Sequence, residues 1–235
     1  MALHVAIDQS VNSVDWDNID TVLLDMDGTL LDLRFDTEFW VRIVPQRFAQ
    51  RQGLSIEDAK AHLDPIFARE QGHLNWYCLD FWSDTVGFNV AALKRELSAG
   101  IAWRPMAEAF LKRLHASHCK VALITNAHPE TLRIKLERIA LEPWLDDVFT
   151  SHQFNAPKEY QTFWEQLQVH CPFDPKTTLF IDDSESVLNS AKTFGIAHLI
   201  TLRQPDSSQP VRHATRFPAL LHFDEVFEGL PTIEP

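Results

Sequence analysis

The stretch Thr21–Asp32, TVLLDMDGTLLD, decides how the rest of the chain is read. Val22, Leu23 and Leu24 make an unbroken apolar run of the kind that fills a buried strand, yet Asp25 and Asp27 follow at once. Residues two apart on a strand share a face, so both carboxylates project together from the end of a buried element. Each disfavours ionisation of the other, and burial adds to the penalty. Such a pair becomes favourable when a divalent cation and a transferring phosphoryl group sit between the two side chains.

Two further runs resemble the first in ending on polar residues: KVALITN (120–126) and TTLFIDD (177–183). Runs rich in Val, Ile and Leu without alternation fit parallel strands covered on both faces. Weaker strands are expected at DVFTS (147–151) and AHLIT (197–201). Between them stand helical patterns: MAEAFLKRLHAS (106–117) with Pro105 at its first turn, HPETLRIKLERIAL (128–141), and ESVLNSAKTFG (185–195) ending on a capping Gly195. Strand alternating with helix predicts an α/β fold, a Rossmann-like parallel sheet whose ligand crevice lies outside the carboxyl ends of its strands. All three strong runs place their polar residues at that edge. Residues 34–102 interrupt the alternation with helices alone, which predicts an inserted helical cap domain, leaving 1–33 and 103–235 as the α/β core. In the tail, LLHFDEVFEGL (220–230) reads as a short amphipathic helix.

Composition narrows the function classes. The net charge of −12 argues against a nucleic-acid coat or an anionic membrane surface. A small anionic substrate is compatible with it, given local positive charge. Cys78, Cys119 and Cys171 are odd in number and lack any C-x-x-C spacing, as expected of incidental thiols in a reduced compartment. The acidic N-terminus has no basic region followed by an apolar stretch, and no apolar run approaches a membrane span. A cytoplasmic protein without an obligate protein partner is expected.

The DMDGT motif, Thr125 at a second strand end, Lys158 beyond it and the Asp182-Asp183 pair after a further strand form an ordered set. That set resembles the four motifs of the haloacid dehalogenase-like (HAD) hydrolase superfamily, over about residues 20–201 and with an insertion at the superfamily's helical-cap position. The resemblance implies that Asp25 is a nucleophile forming an aspartyl-phosphate, and that Asp27 is the general acid and then base. Gly28 and Thr29 are expected to turn the chain with their amides towards the phosphoryl oxygens, which Thr125 and the Asn126 amide also hold. Lys158 neutralises charge on Asp25 and the phosphoryl group. Mg²⁺ is implied at Asp25, the Asp27 backbone carbonyl and Asp183, with Asp182 binding directly or through water. A dehalogenase expels halide and needs no acid at position 27, whereas an alkoxide leaving group needs one, so phosphomonoester hydrolysis is favoured.

Four carboxylates against one Mg²⁺ and one lysine would leave the empty site near minus one, so crowding is expected to raise the pKa of Asp27. The sequence departs from the superfamily in two places. The Pro common after the motif Lys precedes it here, as Pro157, and Val187 stands where many relatives carry another Asp. Asp32 and Asp36 read as surface or helix-capping groups, and His128 as a helix-start residue beside Pro129.

Substrate choice is expected to lie in the insertion. LNWYCLDFW (74–82) gathers Trp76, Tyr77, Phe81 and Trp82, and a single helix through it would align Tyr77, Phe81 and, less squarely, Trp76. These rings either pack the cap's own core or stack on a planar base, with Asn75, Asp80 or Asp84 reading the base edge. The segments VLLDMDGTLLDL, LNWYCLDFWS, TNAHP, PKE and LFIDDSE also resemble the bacterial GMP/IMP 5′-nucleotidases of this superfamily. That resemblance implies hydrolysis of 6-oxopurine nucleoside monophosphates, a small-molecule partner. A sugar-phosphate phosphatase, a phosphomutase that returns the phosphoryl group to a sugar, and a non-catalytic binding module on the same fold are the alternatives.

Overall fold

The structure, a computed structural model, describes residues 13–233; the reading of the first twelve residues lies outside that range. Six strands form one parallel sheet in the order β3-β2-β1-β4-β5-β6. They are β1 (Thr21–Leu24), β2 (Lys120–Thr125), β3 (Asp147–Thr150), β4 (Thr178–Ile181), β5 (His198–Leu202) and β6 (Ala219–Leu220). The chain builds outward from β1 through β2 to β3, then returns to the opposite side of β1 for β4. β1 is therefore the point where strand order reverses, the place where an open α/β sheet leaves a crevice.

Alternate strand residues feed two cores. Val22, Leu24, Leu123 and Ile181 pack on one face with Phe110, Leu111 and Leu114 of α7 (Ala107–His115) and with Ile134 of α8 (Pro129–Arg138). Leu23, Ile124 and Phe180 pack on the other with Trp164 of α9 (Gln161–His170) and Leu188 of α10 (Glu185–Phe194). Both faces are covered, which is why the strands read as continuous apolar runs. α10 ends at Gly195 in the left-handed conformation (φ 113°).

Between β1 and β2 come α1 (Arg34–Glu38), a π-helical stretch (Phe39–Ile43), α2 (Val44–Gln52), α3 (Ile56–Glu70), α4 (Leu74–Tyr77), α5 (Leu79–Val86) and α6 (Val90–Glu96). This insertion has its own core of Phe39, Phe48, Leu63, Trp82 and Val90. Ser55 and Asn89 begin α3 and α6 by accepting from the Asp58 and Ala92 amides, each closing one of the orphan donors at a helix start.

Four local expectations change. The helix predicted from residue 106 starts at Ala107, because Met106 adopts φ 64° as its cap and leaves Pro105 outside. α8 stops at Arg138 instead of continuing to Leu141, which packs into the core from beyond the helix. The segment 74–82 is two helices, because Cys78 is extended (φ −85°, ψ 112°) and the indole of Trp82 donates to the carbonyl of Trp76 across the break. The tail helix is replaced by β6, which adds its two residues beside Thr201 and Leu202, and by a 3₁₀ turn at Phe223–Val226.

Candidate active site

Register places the catalytic candidates. Leu24 pairs with Leu123 on one side and with Ile181 on the other, so Asp25 and Asp182 leave the sheet at the same level. Lys158, 2% exposed, reaches that level from the loop before α9. Its Nζ donates to Asp25 Oδ1 (2.6 Å), Asp182 Oδ2 (2.6 Å) and the Ile124 carbonyl (3.2 Å). The second oxygen of Asp182 accepts from the Ser184 amide at 2.8 Å, so both of its oxygens are engaged. Asp25 Oδ2, in contrast, is buried without a partner. Asp25, Asp182 and Asp183 each bring a carboxylate oxygen within 4.8 Å of the others, a hard-oxygen set suited to Mg²⁺. Oδ2 is the Asp25 oxygen that Lys158 leaves free.

The turn after β1 is fixed by its neighbours. Gly28 has φ 85°, and a Cβ there would fall 2.7 Å from the Asp183 carboxyl, so no larger residue fits between the two loops. Buried Arg104 donates to the Gly28 carbonyl (2.9 Å) and to the Leu221 carbonyl (3.0 Å), clamping the turn from below. Burial brings its pKa down to about 10, which leaves it charged. The Gly28 amide is already given to the Leu31 carbonyl at 2.8 Å and does not face the site, contrary to the sequence reading. Thr29 Oγ1 is buried and unpartnered. Thr125 Oγ1 accepts from the Ala127 amide, leaving its own proton to donate. Asn126 holds the lysine loop: its Oδ1 accepts from the Lys158 amide and its Nδ2 donates to Glu159.

Asp27 meets a second buried lysine that sequence reasoning missed. Lys135 of α8, 1% exposed, bonds Asp27 and also Asp36 Oδ2 (2.5 Å), and Lys94 of α6 bonds the other oxygen of Asp36 at 2.5 Å. Asp36 is therefore a half-buried partner of two buried cations and not a surface group. The signal was present: Lys135 lies three and four residues after Leu132 and Thr131, on the buried side of α8. Asp32, just before the Leu33 cap of α1, accepts from the Arg34 and Ser207 amides. With Asp36, Lys94 and Lys135 counted, five carboxylates face three lysines, so one divalent cation brings the site near neutrality.

The titrations follow from burial. Burial raises Asp25 to about 6 against the pull of Lys158, and raises Asp27 to about 6 against Lys135, with Asp36 and Asp25 adding to the rise. Burial rather than crowding leads for Asp27, which corrects the expected cause. Asp182 and Asp183 are also raised by burial. Asp36 is held below the usual range because Lys135 and Lys94 together outweigh its burial.

Above the carboxylates opens a cavity of about 650 Å³, within the usual size for a small-molecule site. The insertion supplies Trp40, Phe67, Trp76, Tyr77 and Trp82 to its lining. Tyr77 also donates through its hydroxyl to Glu159 (2.8 Å), joining the insertion to the lysine loop. Phe81 packs against Trp82 and is not in the lining. Nor is Asp80, whose side chain is 87% exposed; Asn75 pairs with Glu70 instead, and Asp84 is exposed. His128 caps α8, its Nδ1 accepting from the Glu130 amide.

A profile of the haloacid dehalogenase-like hydrolases matches residues 19–195. The GMP/IMP nucleotidase YrfG of Escherichia coli (strain K12) is 38% identical over 218 residues, 93% of this chain and 98% of that protein. The HAD phosphatase of Thermococcus onnurineus superposes with a TM-score of 0.73 at 18% identity, over 89% of this chain and 97% of that one. The L-2-haloacid dehalogenase of Xanthobacter autotrophicus gives a TM-score of 0.55 at 20% identity, over 81% and 80%. A phosphatase and a dehalogenase both share the fold, so the fold does not choose between their chemistries. Among the described residues, no helix is long and apolar enough to cross a membrane.

Proposed function

The chain belongs to the haloacid dehalogenase-like hydrolase family, and on that premise we propose that it is a Mg²⁺-dependent 5′-nucleotidase that hydrolyses GMP and IMP through an aspartyl-phosphate. One observation carries the chemistry: Lys158 engages one oxygen of Asp25 while the other is buried and unpartnered, and Asp25 lines the cavity. An acid at position 27 then favours an alkoxide leaving group over halide.

Asp25 Oδ2 attacks phosphorus in line with the ester oxygen. The phosphorus–O5′ bond breaks with its electron pair on O5′, which takes the proton of Asp27 and leaves as nucleoside. The Asp27 carboxylate next takes a proton from water as the water oxygen attacks phosphorus. The bond to Oδ2 breaks, returning phosphate and the free Asp25. Lys158 stabilises charge on Asp25 and the phosphoryl oxygens, and Thr125 donates to those oxygens. Bound by Asp25, Asp183 and the Asp27 backbone carbonyl, Mg²⁺ would supply charge neutralisation at the phosphoryl group. Asp182, with one oxygen on Lys158 and the other on the Ser184 amide, orients Lys158 and would meet the cation directly or through water.

In this reading residues 34–102 act as the cap. Its aromatic lining suits a planar base, and a polar lining would suit a sugar phosphate better. The nucleotidase relative, similar along nearly the whole of both chains, supports purine monophosphates as the class. A cytoplasmic setting agrees with three free cysteines. Phosphate release from GMP, IMP, AMP and glucose 6-phosphate, with and without Mg²⁺, tests the proposal. Rates highest for GMP and IMP and abolished by chelation are expected. Equal turnover of all four, or turnover without a divalent ion, overturns it. The alkaline limb expected of the Asp27 proton should vanish from the residual activity of Asp27→Asn.

A further inference from the structure

A second group of metal-ligating side chains lies outside the catalytic edge, where the insertion meets the sheet domain. Cys78 is the extended residue between α4 and α5, His128 begins α8, and His152 sits in the 3₁₀ turn that follows β3 (Ser151–Phe154). One ligand atom from each lies within 4.8 Å of the other two, and all three residues are half-buried. The two imidazoles meet edge to face, with centroids 4.9 Å apart at 81°. His152 Nε2 is buried and has no hydrogen-bond partner. Asp80 Oδ2 stands 3.7 Å from His128 Nε2, at the margin of the group. None of the four belongs to the cavity lining, so the substrate chemistry does not account for them.

We propose that Cys78, His128 and His152, with Asp80 or water as fourth ligand, form a binding site for one soft divalent cation of the zinc type that ties the insertion to the sheet domain. One thiolate and two imidazoles are the donor set such ions prefer and Mg²⁺ does not. Zinc bonds of about 2.0–2.3 Å need donors about 3.5 Å apart, so the group closes by side-chain movements of about an ångström. His128 would bind through Nε2, shift its ring proton to Nδ1, and give up its bond to the Glu130 amide. That loss makes the site weaker than a structural zinc centre, as a reversible clamp should be.

The position gives the clamp its effect. Cys78 and Asp80 belong to the insertion, His128 and His152 to the sheet domain, and Tyr77 and Leu79 on either side of Cys78 both line the cavity. An ion bridging the seam holds that wall in place. It opposes whatever opening lets product leave, so turnover falls by about tenfold if release limits the rate.

Cobalt(II) is the probe, added to the full chain with excess Mg²⁺. Oxygen ligands at the catalytic carboxylates give no sulfur-to-cobalt charge-transfer band, whereas Cys78 does. The expected result is such a band saturating at one equivalent, kept in Asp183→Asn and lost in Cys78→Ser and His152→Gln, with cooperative unfolding checked for each variant. In the unaltered protein, zinc should also protect Cys78 from iodoacetamide as read by peptide mass. Zinc inhibition of phosphate release in excess Mg²⁺ should be relieved by Cys78→Ser. Absence of the band, its survival in Cys78→Ser, or alkylation of Cys78 unaffected by zinc overturns the site. Cation binding that leaves turnover unchanged overturns the clamp. The band and the protection report sulfur ligation, so they stand or fall apart from the proposed nucleotidase activity.

Discussion

The sheet edge and the helical insertion meet at one cavity but specify their parts in different ways. At the edge, parallel register fixes where Asp25, Thr125 and Asp182 emerge, and Lys158 then joins the first and last by short ion pairs. Positions there follow from the backbone, and Asp25, Lys158 and Asp182 have defined partners. In the insertion, Trp40, Phe67, Trp76 and Trp82 pack against one another in edge-to-face and tilted pairs, and the cavity wall is whichever side of that cluster faces the carboxylates. On the proposed function, reactivity follows from hydrogen-bonded geometry and selectivity from packing. Substitutions at the edge should act on the chemical step, and those in the insertion on substrate affinity.

The largest effect is expected at Asp25, the proposed nucleophile. Asp25→Asn keeps the size of the side chain but removes the attacking oxygen's charge, and should lower kcat by at least about 10⁴-fold, as for other covalent catalysts. Single-turnover phosphate release reads this directly. Retention of more than a small part of the activity would show that the edge does not separate from the insertion as described.

Lys135 joins the two regions, since it bonds Asp27 of the sheet edge and Asp36 of the insertion. Lys135→Met leaves two half-buried carboxylates without that buried cation and should destabilise the fold by about 2–3 kcal/mol, towards the size found when one partner of a buried pair is removed. Urea unfolding with Mg²⁺ absent gives the number. A change below about 0.5 kcal/mol, the size of an ordinary surface substitution, would mean that the bridge contributes nothing.

How legible these regions were follows the same division. β1, β2 and β4 could be read because strands covered on both faces need unbroken Val, Ile and Leu, and each such run ends in an acid, Thr or Asn. α10 could be read because Gly195 closes it. Lys135 and Lys94 were hidden because a helical lysine reads as solvated, and only its place among buried neighbours marks it otherwise. Asp36 was misread for the same reason. The break at Cys78 has no Gly or Pro to announce it; the indole bond of Trp82 to the Trp76 carbonyl bridges it, a tertiary choice with no local signal. β6 is two residues long and too short for any periodicity to show.

A smaller effect distinguishes Asp36 by pH. Its pKa lies below the usual carboxylate range, so its ionised form contributes stability that is fully present above about pH 4 and lost as pH falls towards the folded value. Asp25 and Asp27, raised to about 6, act with opposite sign: the folded state takes up their protons first, so they favour folding as pH drops from 6 towards 4. Metal-free protein should therefore gain stability from pH 7 to about 5 and lose it below about 4. Asp36→Asn should flatten the acid loss and lessen the part of the rise that Asp27 contributes, since the Asp36 charge helps to raise Asp27. Thermal unfolding across that range checks both limbs, and an unchanged acid limb in the variant would remove Asp36 from the account.

The smallest effects fall within the insertion and separate its lining from its surface. Trp76 lines the cavity, so Trp76→Ala should raise KM for GMP about tenfold, the value of one base–aromatic stack, with kcat for a small aryl phosphate nearly unchanged. Asp80 is largely exposed and outside the lining, so Asp80→Asn should leave the GMP-to-AMP preference within about twofold, as expected of a solvated charge. The pair of variants tests packing against edge reading as the source of selectivity. If Asp80→Asn abolished the preference while Trp76→Ala did not, the insertion would have to move until Asp80 reached the base. Selectivity would then rest on a hydrogen bond made only in a closed state, and the insertion would resemble the sheet edge in its logic.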